Sequence, residues 1–219
     1  QLEEFRRQLA PNFTLPEAVY QLFRALPEDT DPMLALHSAV ALLGSLDGAA
    51  NGVDTENVQR IGRLLLPQFP LLVAAFQRIR NGKDPVQPRS DLSVAGNFLY
   101  TLTGEEPTEA ATKVMDVALV LHAEHGSNAS TFVARATAST LTDVYSAIGA
   151  AVGALKGPLH GGANTAVMNA LEKIGSVEGV EQYVLDVLGT PGGRVMGFGH
   201  RVYKVLDPRA VILKDVSRA

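Results

Sequence analysis

The chain contains no cysteine, which excludes disulfide bridges and thiolate chemistry and fits a reducing, cytoplasmic compartment. It has no excess of positive charge: 19 Lys and Arg stand against 23 Asp and Glu, for a net charge of −4 and an isoelectric point near 5.7. That balance argues against a nucleic acid or an anionic membrane as the main partner. Apolar runs such as Val117 to Leu121 fall far short of the ~20 residues that span a bilayer. The opening residues lack the basic-then-apolar pattern of a secretory signal. No segment alternates as a strand does, and neither an internal repeat nor a low-complexity tract is present. At 46% hydrophobic and 19% charged residues, the composition is that of a globular protein.

What is present is helical period almost throughout. Leu2 to Leu9 reads as helix, and Asp31-Pro32 opens another with Met33, Leu36, Val40 and Leu43 on one face. Asp54 to Arg80 is a longer helical run that Pro67 and Pro70 are expected to break or kink. Asn81-Gly82 through Pro88 reads as a loop, and Leu92 to Leu102 as a short helix ended by Gly104. Pro107 begins another, in which Val114, Val117, Ala118 and Leu121 are expected to pack inward. Asn128 to Thr140 and Asp143 to Leu155 are dense in Ala, Ser and Gly, which suits close helix–helix approach. Ala163 to Ile174 and Glu178 to Leu188 follow, and Asp207-Pro208 caps and starts a last helix. The expected fold is all-α and multi-helical, with a large helical domain over 1–156 and the start of a smaller one over 157–219. The first residue is Gln1 and the last helix lacks a C-cap, so the reading expects a piece of a longer chain, cut at both ends.

Two histidines lie in glycine-rich loops ahead of helical sequence: Gly157-Pro158-Leu159-His160-Gly161-Gly162-Ala163-Asn164, and Gly197-Phe198-Gly199-His200-Arg201-Val202-Tyr203-Lys204. Glycine lets backbone approach a ligand closely. His160 precedes a helix N-terminus, whose partial positive charge favours a neutral imidazole that donates a hydrogen bond to a carbonyl oxygen as negative charge develops there. The structural alternative is a histidine at a helix start, with glycines allowing the turn. Around His200, Arg194, Arg201, Lys204 and Arg209 form a cationic segment suited to carboxylates and phosphates, or an ordinary solvated basic loop. The Gly-x-Gly spacing matches neither a dinucleotide fingerprint nor a P-loop. His122 and His125 are three apart, so they share a helix face as metal ligands would. The spacing is not that of a zinc motif, no cysteine is present, and the expectation is that no metal is bound. His125, before Gly126-Ser127-Asn128, instead suits a carboxylate in a cleft, while His37 reads as structural or interfacial.

The segments around His125, His160 and His200, the last continuing to Asp207-Pro208-Arg209, resemble the citrate synthase family in residue pattern and order. The Asp31-Pro32-Met33 helix and the 81–88 loop are similar too. The branch nearest in appearance is the bacterial type, which includes citrate and 2-methylcitrate synthases. The resemblance implies an all-helical homodimer that condenses acetyl-CoA, as co-substrate, with oxaloacetate to give citrate and CoA, without a permanently bound cofactor. It assigns His160 to the acetyl-CoA enol and His200 to the oxaloacetate carbonyl, with His125 and Arg209 on the oxaloacetate carboxylates. Lys204 and the loop Val195, Met196, Gly197, Phe198 and Gly199 fall to CoA. It also implies a catalytic aspartate beyond Ala219. General-base catalysis contributes roughly 10²–10⁴-fold, so residues 1–219 alone are expected to be nearly inactive. The alternatives are a 2-methylcitrate synthase using propionyl-CoA, a non-catalytic helical interaction module, and a metal-binding helical protein using His122 and His125.

Overall fold

The computed structural model describes residues 1–123, 126–199 and 204–217, and among these every regular element is helical. The chain divides into two compact units, Gln1–Gly153 and Ala154–Ala219. In the first, α1 is Leu2–Leu9, α2 Glu17–Ala25, α3 Pro32–Leu46, α4 Thr55–Arg80, α5 Val94–Thr103, α6 Glu109–His122 and α7 Ala129–Ala138; α8 runs Val144–Lys156, across the boundary. In the second, α9 is Gly162–Ile174, α10 Val180–Gly189 and α11 Pro208–Val216.

Side-chain caps set most helix starts, as the sequence implies at Asp31 and Asp207. Asp31, Asp54, Ser93, Thr108, Asn128 and Asp207 each accept from a backbone N–H of the first turn that has no helical acceptor. The sequence pattern does not single out α2, whose start at Pro16 carries no side-chain cap but whose Val19 and Phe23 are buried. Conversely, α6 buries none of its residues; Val114, expected inside, is 45% exposed, and Val117, Ala118 and Leu121 are only half-buried.

The first unit is organised on α4, against which α1, α2, α3 and α5 pack. Val19, Phe23, Val40, Leu43, Ile61, Leu65, Leu72 and Phe76 form its core, with Phe23 and Phe76 meeting edge-on at 5.4 Å between ring centroids. The expected break in α4 does not occur, since the helix is continuous through Pro67 and Pro70. Proline removes the N–H that would bond the carbonyl four residues back, which for Pro67 is that of Arg63. Asn12 supplies the replacement: its side-chain amide donates to the Arg63 carbonyl at 3.2 Å and to the Gln8 carbonyl at 3.1 Å. Beside it, the buried Gln68 donates to the Thr14 carbonyl at 3.2 Å.

Helix α8 meets α3 at two glycines. A Cβ on Gly44 would stand 2.8 Å from the Tyr145 Cβ, and one on Gly149 would stand 3.4 Å from the His37 ring, so each glycine admits the opposite side chain. Beyond Gly44 the pairing ends in a polar knot. Asp47 accepts from the Tyr145 hydroxyl at 2.9 Å, the Arg60 guanidinium at 2.7 Å and the Ala49 N–H at 3.0 Å. Burial alone would raise the Asp47 carboxyl, but the donors from Arg60, Ala49 and Tyr145 outweigh it and hold the group below its ordinary value. Burial, and then the bond to Asp47, push the Tyr145 hydroxyl well above the usual phenol range.

The Asn12 bond is tested by a double-mutant cycle followed by reversible unfolding. Asn12→Ala is expected to cost about 0.5–1.5 kcal/mol where Pro67 is present. In a Pro67→Ala background the backbone N–H restored at that position serves the Arg63 carbonyl itself, and the cost should shrink to a few tenths of a kcal/mol. Equal costs in both backgrounds would show that Asn12 does not act through that carbonyl.

Candidate functional site

The second unit holds three stretches picked out by sequence: the loop before α9, the glycine-rich segment after α10, and the start of α11. The first is tightly wound. Leu155 and Lys156 end α8, the chain turns so that the His160 N–H donates to the Gly157 carbonyl at 2.9 Å, and the Gly162 N–H reaches the same oxygen at 3.1 Å. The His160 carbonyl in turn accepts from Ala163 at 3.2 Å inside the first turn of α9. The histidine backbone is therefore bonded on both sides at the helix N-terminus, and its side chain is half-buried. A Cβ on Gly161 would meet the Leu155 carbonyl oxygen at 2.5 Å, so this glycine lets the loop fold back onto α8. Leu159 is fully exposed.

The second stretch follows α10 through Gly192-Gly193-Arg194. A Cβ on Gly193 would stand 1.8 Å from the Val187 carbonyl, which only glycine permits. The chain then turns, with the Phe198 N–H 3.4 Å from the Val195 carbonyl, and Gly197 takes φ +89°. At that point the loop rests on α9, where a Gly197 Cβ would be 3.1 Å from Cγ2 of Val167. The His160 loop and the 195–199 loop thus lean on one helix. Val195 and Met196 are half-buried, while Gly197, Gly199, Phe198 (82% exposed) and Lys204 face outward.

The third stretch begins at Asp207, which caps α11 by accepting the Arg209 N–H at 2.9 Å. Its carboxylate also holds the Arg209 guanidinium in a two-pronged pair, Nε to Oδ1 at 3.1 Å and Nη2 to Oδ2 at 2.7 Å, with both side chains about a quarter exposed. Arg209 is therefore oriented by the residue two before it.

His125 and His200, and with them Glu124, Arg201, Val202 and Tyr203, lie outside the described residues. His122 is exposed, with Nδ1 2.6 Å from the Ala118 carbonyl within its own helix. Among the described residues no group of three or more His, Cys, Asp or Glu can hold a metal, and no helix is long and apolar enough to cross a membrane. His37 lies against Gly149, in the contact between α3 and α8. A groove of about 660 Å³ on the first unit, lined by Gln77, Arg78, Asn81, Lys83 and Leu102, includes none of the motif residues. Two of the Arg78 donors there are taken by the carbonyls of Asp84 and Leu102. Val167 is singled out by no motif, because a valine within a helix reads as ordinary packing.

A family model described as citrate synthase, C-terminal domain, matches residues 1–219. Citrate synthase of Deinococcus radiodurans is 48% identical over 99% of this chain and 57% of its own length. Citrate synthase 2 of Bacillus subtilis is 49% identical over 100% of the chain and 59% of its own. The structure of Thermoplasma acidophilum citrate synthase, in a ternary complex with carboxymethyl coenzyme A and oxaloacetate, superposes with a TM-score of 0.89. It is 31% identical, covering 98% of this chain and 56% of that one. The chain spans rather more than half the length of these relatives, and it belongs to the citrate synthase family.

Proposed function

We propose that the full-length protein is a citrate synthase, an acyltransferase that joins acetyl-CoA to oxaloacetate and releases citrate and CoA. The observation that carries the reading is the His160 loop, bonded through its own backbone to the N-terminus of α9, in a chain whose whole length matches the family. A carboxylate base removes a methyl proton from acetyl-CoA, a part assigned to no residue of 1–219. His160 donates a hydrogen bond to the thioester oxygen as the enol forms there. The enol carbon attacks the oxaloacetate carbonyl carbon, and the carbonyl oxygen takes a proton from His200. Water then cleaves the citryl thioester to give citrate and CoA. His125 and Arg209 hold the oxaloacetate carboxylates, and Lys204 and Val195 to Gly199 hold CoA. No permanent cofactor is needed. In this reading residues 1–156 belong to the large domain and 157–219 to the small one, and the enzyme is cytoplasmic, without nucleic-acid or membrane partners.

The full-length protein is expected to release free thiol only when both substrates are present, with a higher kcat/KM for acetyl-CoA than for propionyl-CoA. The reverse preference would make it a 2-methylcitrate synthase, a difference of one methylene worth about 1–3 kcal/mol. No release with either would leave a non-catalytic helical module. His160→Ala is expected to lower kcat by about 10²–10³-fold with oxaloacetate binding little changed, because the bond strengthens only as charge develops. A loss under tenfold would reduce His160 to a helix-start residue.

Arg209 tests the oxaloacetate assignment. Asp207 fixes the plane of the guanidinium, and a guanidinium presents parallel N–H donors to a second carboxylate where lysine offers a point charge. Arg209→Lys should raise the oxaloacetate KM roughly tenfold, as expected for one lost charge-assisted bond of about 1.5–3 kcal/mol. An unchanged KM would confine Arg209 to pairing with Asp207.

We also propose a homodimer; the sequence's candidate for its interface is the Ala-, Ser- and Gly-dense stretch between Asn128 and Leu155, of which α7 and the turn after it remain the supporting part. Tyr145, Ala147 and Gly149 of α8 are buried within the first unit, so they are spent on the same chain. The supporting surface lies on α6, α7 and the turn after them, where Val120 (65%), Phe132 (67%) and Leu141 (76%) are exposed, Leu141 at φ +62°. These are the apolar side chains on that stretch which a second copy would cover. Sedimentation of the full-length protein at micromolar concentration should give twice the chain mass, and Phe132→Glu should shift it to the monomer. A monomeric wild type would remove the dimer.

A further inference from the structure

The loop Val195 to Gly199 and the loop carrying His160 are about forty residues apart in sequence, yet α9 touches both. Its N-terminus is the continuation of the His160 turn, where a Cβ on Gly162 would already be 3.0 Å from the Gly157 carbonyl. Five residues further, about 7.5 Å along the axis at helical rise, Val167 presents Cγ2 to the α-carbon of Gly197, 3.1 Å from where a Cβ would stand, and Cγ1 at 3.9 Å. A β-branched side chain in a helix is held in one strongly preferred χ1 well. The methyl under Gly197 is therefore a fixed stop rather than a yielding one. Gly197 itself is at φ +89°, a conformation a residue with a side chain would adopt only under strain.

We propose that Val167 is a positioning residue. It sets the height of the 195–199 loop on α9, and so the spacing between that loop and His160. The proposal rests on the reading above that the 195–199 loop holds CoA and that His160 acts at the thioester. Val167 touches neither substrate. It acts through Gly197, on how acetyl-CoA is seated, and leaves oxaloacetate alone. Misplacement by ~1 Å at a reacting centre can cost up to ~10²-fold in rate, so a support that moves one loop by a fraction of that has a measurable effect.

The test uses four variants of the full-length protein, with KM for each substrate, equilibrium binding of CoA, and thermal melting. Val167→Ala and Val167→Leu both remove the β-branch beneath Gly197, the second while keeping apolar bulk; Val167→Ile retains it. The first two should raise the acetyl-CoA KM and weaken CoA binding by about fivefold or more, with the oxaloacetate KM within about twofold and melting close to wild type. Val167→Ile should behave as wild type. The proposal is overturned if Ala and Leu leave the acetyl-CoA KM within about twofold of wild type. It is equally overturned if both KM values and the melting temperature move together, which is the signature of a general packing role. Gly197→Ala separates this failure from failure of the underlying reading. If it leaves CoA binding unchanged, the loop is not at the CoA site; if it weakens CoA binding while the Val167 variants do not, only the role of Val167 falls. A wild-type protein that makes no citrate removes the functional reading itself.

Discussion

A helix with proline in its interior must leave a carbonyl without its helical donor, and the first unit is built around the place where α4 does so. The helix is the element on which α1, α2, α3 and α5 pack, so a break at Pro67 would divide the core between Leu65 and Leu71. Continuity depends on an outside donor for the Arg63 carbonyl, and Asn12 provides one from the short turn after α1. The same amide also bonds Gln8, at the end of α1, so one side chain ties the first helix to the central one. A buried carbonyl without a partner costs about 1–3 kcal/mol, comparable to the loss of a large part of a core side chain.

The second unit follows a different logic. Among its described residues only Ala170 is buried, and its order comes from backbone packed against backbone. Gly161 lies against the Leu155 carbonyl and Gly193 against that of Val187, contacts that any side chain would block. This bears on how the glycines beside His160 are understood. The sequence suggests that they make room for a ligand; at Gly161 the room is already filled by the chain itself. For the donor role proposed for His160, a loop held through its own backbone serves better than an open one, because positioning is most of what such a donor contributes.

Much of this is legible in the sequence, and the limits have physical causes. The starts read at Asp31, Asp54, Leu92, Pro107, Asn128 and Asp207 fall within a residue or two of the observed ones, where side-chain caps act locally on N–H groups a few positions on. Helix α2 lacks such a signal and escapes a reading based on caps. Pro67 reads as a breaker because the donor that tolerates it, Asn12, lies 51 residues from the Arg63 carbonyl it serves. Val114 reads as inward because periodicity identifies an apolar face without saying whether that face meets its own chain. In the candidate site, His160 and Arg209 stand out through their neighbours, whereas the contact of Val167 with Gly197 leaves no pattern at all. A glycine α-carbon seated on a methyl group is visible only in coordinates.

Asp207 shows how one residue can join the two levels. As a cap it accepts the Arg209 N–H and fixes where α11 starts; as a carboxylate it grips the guanidinium of the same arginine. The two bonds are geometrically linked, since the backbone bond fixes the Arg209 α-carbon relative to the carboxylate that receives its side chain. Proline at the intervening position holds φ near −65° and removes one more freedom. An arginine free to sample its rotamers would lose side-chain entropy, up to ~2 kcal/mol, on binding an anion. Here most of that cost is met on folding, since the pair with Asp207 already holds the guanidinium in one plane. The ion pair with Asp207 and the proposed role toward a carboxylate are therefore compatible, because the ordering met on folding is not required again on binding.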